Sequence, residues 1–289
     1  MTTLTQQLAD YQAGFKQRAP ADRVAMMEAA TAQLRATGIE STALQVGSEL
    51  PALTLPDATG KPVDLKALNA DGPLVIVFYR GGWCPYCNLE LREWQRLLPQ
   101  LRERGATLVA ISPQTPDNSL STVEKNELAF PVLSDSNLGA ARAFGIAFTL
   151  SPELVELYAK VGNDLPTLNG NGQWVLPIPA TYLIDASGRV VLAHVEADYR
   201  QRAEPMQVLR ALRADGINSH AGLGISASLL EQTTAIGPVG AAVTSTTRRS
   251  RTRHRWNRAR PRPTPEAEGC LSTVDGNFKL GHQRAVATG

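Results

Sequence analysis

The chain has 289 residues, a formal net charge of +2 and 43% hydrophobic residues, enough for one sizeable core with extensions or two small domains. No apolar run is long enough to cross a membrane, the polar start from Met1 to Gln7 does not read as a signal peptide, and three cysteines are too few for a disulfide scaffold. The charge is uneven: residues 216–289 hold ten Lys and Arg against four Asp and Glu, so a mildly acidic globule carries a basic tail.

Residues 1–45 predict a helical extension. Leu8, Tyr11 and Phe15 share one helical face; after the Ala19-Pro20 break so do Val24, Met27, Ala30 and Leu34, and Gly38 ends the pattern. A hairpin follows, 52–55 with 61–65, turning around Asp57 to Gly60. From Pro73 the pattern becomes βαβ: a buried strand at 74–79, a helix at about 84–104 with Pro99 inside it, and a second strand at 107–112. Helices near 118–129 and 137–144 surround a short strand at 130–133. Another helix is expected at 152–160, then an Asn/Gly loop at 163–172. Strands at 181–185 and 189–195 pair through the Ser187-Gly188 turn, and a last helix covers about 205–214. Parallel strands, then an antiparallel hairpin, then a helix give an α/β, thioredoxin-like layout, a mixed sheet flanked by helices over residues 46–215.

Residues 216–289 change character to Gly, Ala, Ser and Thr, then an arginine run from Arg248 to Arg262, then a stretch with lone Cys270. Such a segment buries too little apolar area to offset its ordering entropy and is expected to be disordered. Its arginines suit phosphate contacts, but a solvated tail is the simpler expectation and nucleic acid is not the expected partner.

The chemistry lies at Tyr79-Arg80-Gly81-Gly82-Trp83-Cys84-Pro85-Tyr86-Cys87-Asn88. A strand runs through a Gly-Gly turn into a helix whose first turn carries two thiols. Placing Cys84 at the N-cap puts Pro85 at the first helical position, where its missing N–H is harmless. The unpaired N–H groups and positive dipole end of that turn lower thiol pKa, and the thiolate is the reactive species. One turn also brings the two sulfurs within reach of each other. A zinc site would need a second cysteine or histidine pair, and His194, His220, His254 and His282 are scattered, so no metal or cofactor is expected. A reducing cytosol is the expected compartment for such a dithiol.

Four stretches in order, Phe78 to Glu90, Ile111 to Ser119, Phe130 to Asp135 and Ile178 to Asp185, resemble the peroxiredoxin family of alkyl hydroperoxide reductases and thiol-specific antioxidant proteins. The nearest likeness is to its C-x-x-C-bearing branch. The resemblance implies that Cys87 takes the peroxidatic position and Glu90 the position of the Glu that often follows it. The family's Thr falls on Cys84 and its later Arg on Pro179. Ile178-Pro179 in turn looks like the cis-proline pair of thioredoxins, which would make Pro179 a shelf for an incoming substrate.

Two mechanisms follow from the resemblance. In a thiol peroxidase, Cys87 attacks hydrogen peroxide or an organic hydroperoxide and Cys84 closes a Cys84–Cys87 disulfide, which thioredoxin or a similar dithiol donor reduces. Arg80 is the candidate replacement for the missing cation, against an ordinary surface loop position. In a protein disulfide reductase, Cys84 is the more exposed sulfur and attacks the substrate disulfide. A redox-sensing binding module is the third reading. Trp83 is expected to pack beside the site with partial exposure, His194 to be a satisfied strand histidine, and Glu90 a solvated helix-surface residue unless it takes up a proton. Tyr199, Arg202 and Glu204 form a polar cluster with no assigned role.

Overall fold

Five strands form the central sheet of this computed structural model, which describes residues 2–214; the expectations for the tail and Cys270 fall outside them. The strands are β3 (Leu74–Phe78), β4 (Thr107–Ser112), β5 (Val132–Ser134), β8 (Ala180–Ile184) and β9 (Val190–Val195). Their order is β5-β4-β3-β8-β9, with β3, β4 and β5 parallel and β8 and β9 antiparallel to their neighbours. Every residue of β3 is buried, as a central strand covered on both faces requires. Alternation along it serves two cores: Val75 and Val77 face one layer, and Leu74, Ile76 and Phe78 face the other.

The first layer is built on α5 (Pro85–Arg102), whose Leu91, Trp94, Leu97, Leu98 and Leu101 are buried against the sheet. Pro99 lies inside this helix. Beside α5 lie α1 (Leu4–Arg18), through Leu4 and Leu8, and α10 (Pro205–Ala214), through Val208, Leu209 and Leu212. The second layer holds α3 (Ile39–Thr42), α4 (Leu65–Ala70) and α7 (Gly139–Ala143). Between α1 and α3, α2 (Ala21–Ala36) sends Met27 toward a third cluster with Leu157 and Tyr158 of α8 (Pro152–Lys160).

The expected hairpin is present as β1 (Thr54–Pro56) paired with β2 (Pro62–Asp64), and α6 (Pro116–Asn126) follows β4. Five short elements, α3 among them, go beyond the sequence reading. α4 starts at Asp64, whose side chain caps Ala67 N at 2.9 Å. The expected Asn/Gly loop contains α9 (Leu165–Asn169), closed by Gly170 at φ +66°. A two-stranded sheet pairs β6 (Ala147–Thr149) with β7 (Val175–Pro177). Among the described residues no helix is long and apolar enough to cross a membrane.

Candidate active site

The turn between β3 and α5 depends on two glycines. Gly81 sits at φ +149°, and a Cβ there would lie 2.4 Å from Trp83 Nε1; a Cβ on Gly82 would lie 2.3 Å from Thr122 Oγ1. Gln114 accepts the Gly82 N–H at 2.7 Å, Asn88 donates to the Gly82 carbonyl at 2.9 Å, and Asn126 donates to Asn88 Oδ1 at 3.0 Å. These bonds pin the turn to α6 and fix where the next residues fall.

Cys84 is the N-cap of α5 and Pro85 the first helical residue, as the spacing predicts. The Cys87 thiol, the nearby arginines and the Cys87 backbone N–H all favour the charged form of the Cys84 sulfur. Both cysteines are free thiols, 1% and 0% exposed, so the expected greater exposure of Cys84 amounts to almost nothing. Three tyrosines gather beside Cys84: Tyr11 of α1 meets Tyr86 edge-on at 5.0 Å, and Tyr86 meets Tyr199 at 5.6 Å.

Two buried arginines flank the sulfurs. Arg80 Nη1 is 4.0 Å from Cys84 Sγ and Arg202 Nη2 is 3.4 Å from Cys87 Sγ. Arg80 is 3% exposed, so it is no surface cation. Its guanidinium lies over the Tyr199 ring at 4.3 Å and the Trp83 ring at 4.9 Å, and it donates to Tyr158 Oη. Trp83 is half-buried and meets Tyr158 edge-on at 5.5 Å, as its expected packing role requires. Arg202 is held by a buried ion pair with Glu90 and by the carbonyl oxygens of Tyr199 and Gln201.

These charges favour both thiolates, and the hydrogen bond between the two sulfurs separates the pair. Burial alone would push Cys84 up, but the hydrogen bond from Cys87 and the positive charges of Arg80 and Arg202 outweigh it and bring it down to about 6. Burial pushes Cys87 well above the ordinary thiol range, and donating to Cys84 raises it further. The pair therefore shares one proton, resident on Cys87, with the thiolate on Cys84. Burial raises Glu90 to about 7 despite the Arg202 charge. Glu90 is 0% exposed and its Oε1 accepts no hydrogen bond of regular geometry, which replaces the expected solvated glutamate with a buried, titratable one.

Two sequence expectations fail. The bond between Ile178 and Pro179 is trans; Ile178 N donates to Ile146 O at 2.8 Å, and β8 begins just after Pro179, at Ala180. Pro179 is buried in the wall of a pocket beside Arg80, not a cis shelf over the dithiol. His194 on β9 has a buried Nε2 without a hydrogen-bond partner, and burial lowers its pKa, so it is not a satisfied histidine. The sequence reading left Arg202 and Tyr199 without a role. Only their position before α10 marks them in the chain, and folding carries them across to Cys87 and Arg80.

A thiolate paired with a protonated thiol one helical turn away exchanges two electrons, and the class this defines is a thiol oxidoreductase on a thioredoxin-like fold. The chain belongs to the AhpC/TSA family, whose sequence profile matches residues 46–193. It is similar to the thiol-disulfide oxidoreductase ResA of Bacillus anthracis, 26% identical over 149 residues that cover 51% of this chain and 68% of the relative. Among solved structures it is similar to peroxidoxin BcpB of Mycobacterium tuberculosis, with a TM-score of 0.48, 24% identity, and 60% and 98% of the two chains covered. It is also similar to peroxiredoxin Q of Xanthomonas campestris, with a TM-score of 0.43, 26% identity, and 57% and 96% covered.

Proposed function

We propose that the protein is a thiol peroxidase in which Cys84 attacks the peroxide and Cys87 resolves the product. The observation that carries this reading is the buried Cys84 with Arg80 at 4.0 Å, a guanidinium beside the sulfur that must push charge onto a leaving oxygen. The assignment reverses the roles implied by the family resemblance, because Cys87 donates to Cys84 and so favours the thiolate there.

The Cys84 thiolate attacks one peroxide oxygen, the O–O bond breaks, and Cys84 becomes a sulfenic acid. The leaving oxygen takes a proton and departs as water or an alcohol. Cys87 then attacks the sulfenic sulfur, its proton leaves with the sulfenic hydroxyl as water, and the Cys84–Cys87 disulfide forms. Thioredoxin or a similar dithiol donor returns two electrons, and a reducing cytoplasm is the compartment this cycle fits. In this reading residues 46–215 are the catalytic domain, 1–45 a helical cover, and 216–289 a separate basic tail.

The likeness to ResA and the low pKa of Cys84 favour one alternative, a disulfide reductase with Cys84 as nucleophile. Reaction of Cys87→Ser and Cys84→Ser proteins with one equivalent of peroxide tests the main reading. Cys87→Ser should consume it and give a Cys84 sulfenic acid that dimedone traps, while Cys84→Ser reacts no faster than a free thiol. A stable mixed disulfide from Cys87→Ser with protein disulfides, but no fast peroxide consumption, would favour the alternative.

A further inference from the structure

The two arginines that flank the dithiol are held in different ways. Arg202 meets the Glu90 carboxylate in a buried ion pair, so its charge is matched on the spot. Arg80 is almost wholly buried, yet it forms no ion pair with a carboxylate among the described residues. Its Nε has no hydrogen-bond partner, and its Nη2 donates to the Tyr158 hydroxyl. What surrounds the guanidinium is aromatic. Its central carbon lies 4.3 Å from the ring centre of Tyr199, 4.9 Å from that of Trp83 and 5.7 Å from that of Tyr158. All three are within the range at which a ring face attracts a cation. Trp83 comes from the turn before α5, Tyr158 from α8 and Tyr199 from the segment before α10.

We propose that these three rings form a cage that positions the Arg80 guanidinium beside Cys84 with its charge unmatched, and that Tyr199, the nearest ring, is its principal positioning residue. A ring quadrupole attracts a cation without cancelling its charge, whereas a carboxylate in the same place would offset much of what the sulfur feels. The cage therefore does for Arg80 what Glu90 does for Arg202, and leaves the Arg80 charge to the Cys84 thiolate. The inference rests on the proposed role of Arg80 at Cys84 and names the groups that let it act. Tyr199 lies outside the family match, 46–193.

The pH dependence of Cys84 alkylation by limiting iodoacetamide, followed by peptide mapping of the reduced full-length protein, reads the effect of Arg80 on the sulfur. Tyr199→Leu should move the midpoint up by about one unit. Tyr199→Phe keeps the ring and should hold the midpoint at the wild-type value. In an Arg80→Met background Tyr199→Leu should add no further shift, because the cage then has no cation to hold. Trp83→Leu, at a half-buried position, should shift the midpoint the same way and replaces Tyr199→Leu if circular dichroism shows that variant unfolded. The cage does not position the arginine if neither leucine variant moves the midpoint, if Tyr199→Phe shifts it as far as Tyr199→Leu, or if Tyr199→Leu acts equally without Arg80. In each of those cases the proposed function stands. If Arg80→Met itself changes neither the midpoint nor the rate with hydrogen peroxide, Arg80 does not act on Cys84, and the basis of the proposed function is lost along with this inference.

Discussion

Arg202 Nη2 stands 3.4 Å from Cys87 Sγ across a sequence separation of 115 residues. The same guanidinium pairs with Glu90, one helical turn beyond Cys87, and neither charged group reaches solvent. A single buried unit thus joins the resolving thiol, a cation and a carboxylate. Its members are expected to respond to substitution together.

Removing the cation alone should be costly. Arg202→Met leaves the Glu90 carboxylate buried without a partner, and breaking such a pair costs about 3–5 kcal/mol. It should also raise the pKa of Cys84, since the Arg202 charge helps to hold it down. Chemical unfolding of Arg202→Met, of Glu90→Leu and of the double variant checks the first point. The double variant should be more stable than Arg202→Met alone; equal loss in both would refute the coupling.

The dithiol should titrate asymmetrically. Iodoacetamide at limiting concentration should alkylate Cys84 first, with a rate that rises through pH 6 and levels off above it. Cys87→Ala removes a hydrogen bond to the thiolate, so that midpoint should move upward. Peptide mapping that found Cys87 alkylated first would reverse the assignment of nucleophile.

Glu90 gives stability the opposite sign from most carboxylates. Its folded-state pKa, about 7, lies above the ordinary 4.5, so its contribution is fully present below pH 4.5 and is lost as pH rises through about 7. At about 1.36 kcal/mol per unit the loss is on the order of 3 kcal/mol. The Cys84 thiol behaves conversely, its contribution being present above the ordinary value of 9.0 and lost as pH falls through about 6. Urea unfolding at pH 5 and pH 8 should therefore show a change between the two that is more favourable to pH 8 in Glu90→Gln than in the wild type. Identical changes in both proteins would mean that Glu90 does not titrate in this window.

The Gly82 turn offers a rescue test. A Cβ at position 82 would overlap Thr122 Oγ1 at 2.3 Å, so Gly82→Ala should cost about 1–3 kcal/mol and slow thiol reaction by displacing Cys84. Adding Thr122→Ala removes that oxygen and should restore most of both losses. Without such restoration, the backbone conformation of Gly82, and not the contact, would be the constraint.

What the sequence showed followed from local pattern. The fully buried strand 74–78, the Pro85 start of α5 and the amphipathic face through Leu91, Trp94 and Leu98 are each written in consecutive residues. The β6–β7 pair escaped because each strand is three residues long and 26 residues separate Thr149 from Val175. Arg202 escaped for the same reason at larger scale, since its partner Glu90 lies 112 residues away. Arg80 was found by adjacency to the cysteines, but its burial came from Tyr158 and Tyr199, which the chain delivers from two later segments.

Cys84 and Cys87 lie on one turn of α5, three residues apart. Joining them closes a ring of four residues, and loop-closure arithmetic gives such a short ring only about 2 kcal/mol, against nearly 5 for a loop of about 100. From loop closure alone, the oxidised and reduced enzymes should melt within about 10 °C of each other. A cell that swings between oxidising and reducing conditions would find this protein folded in both, with its redox state recorded in chemistry and hardly at all in stability.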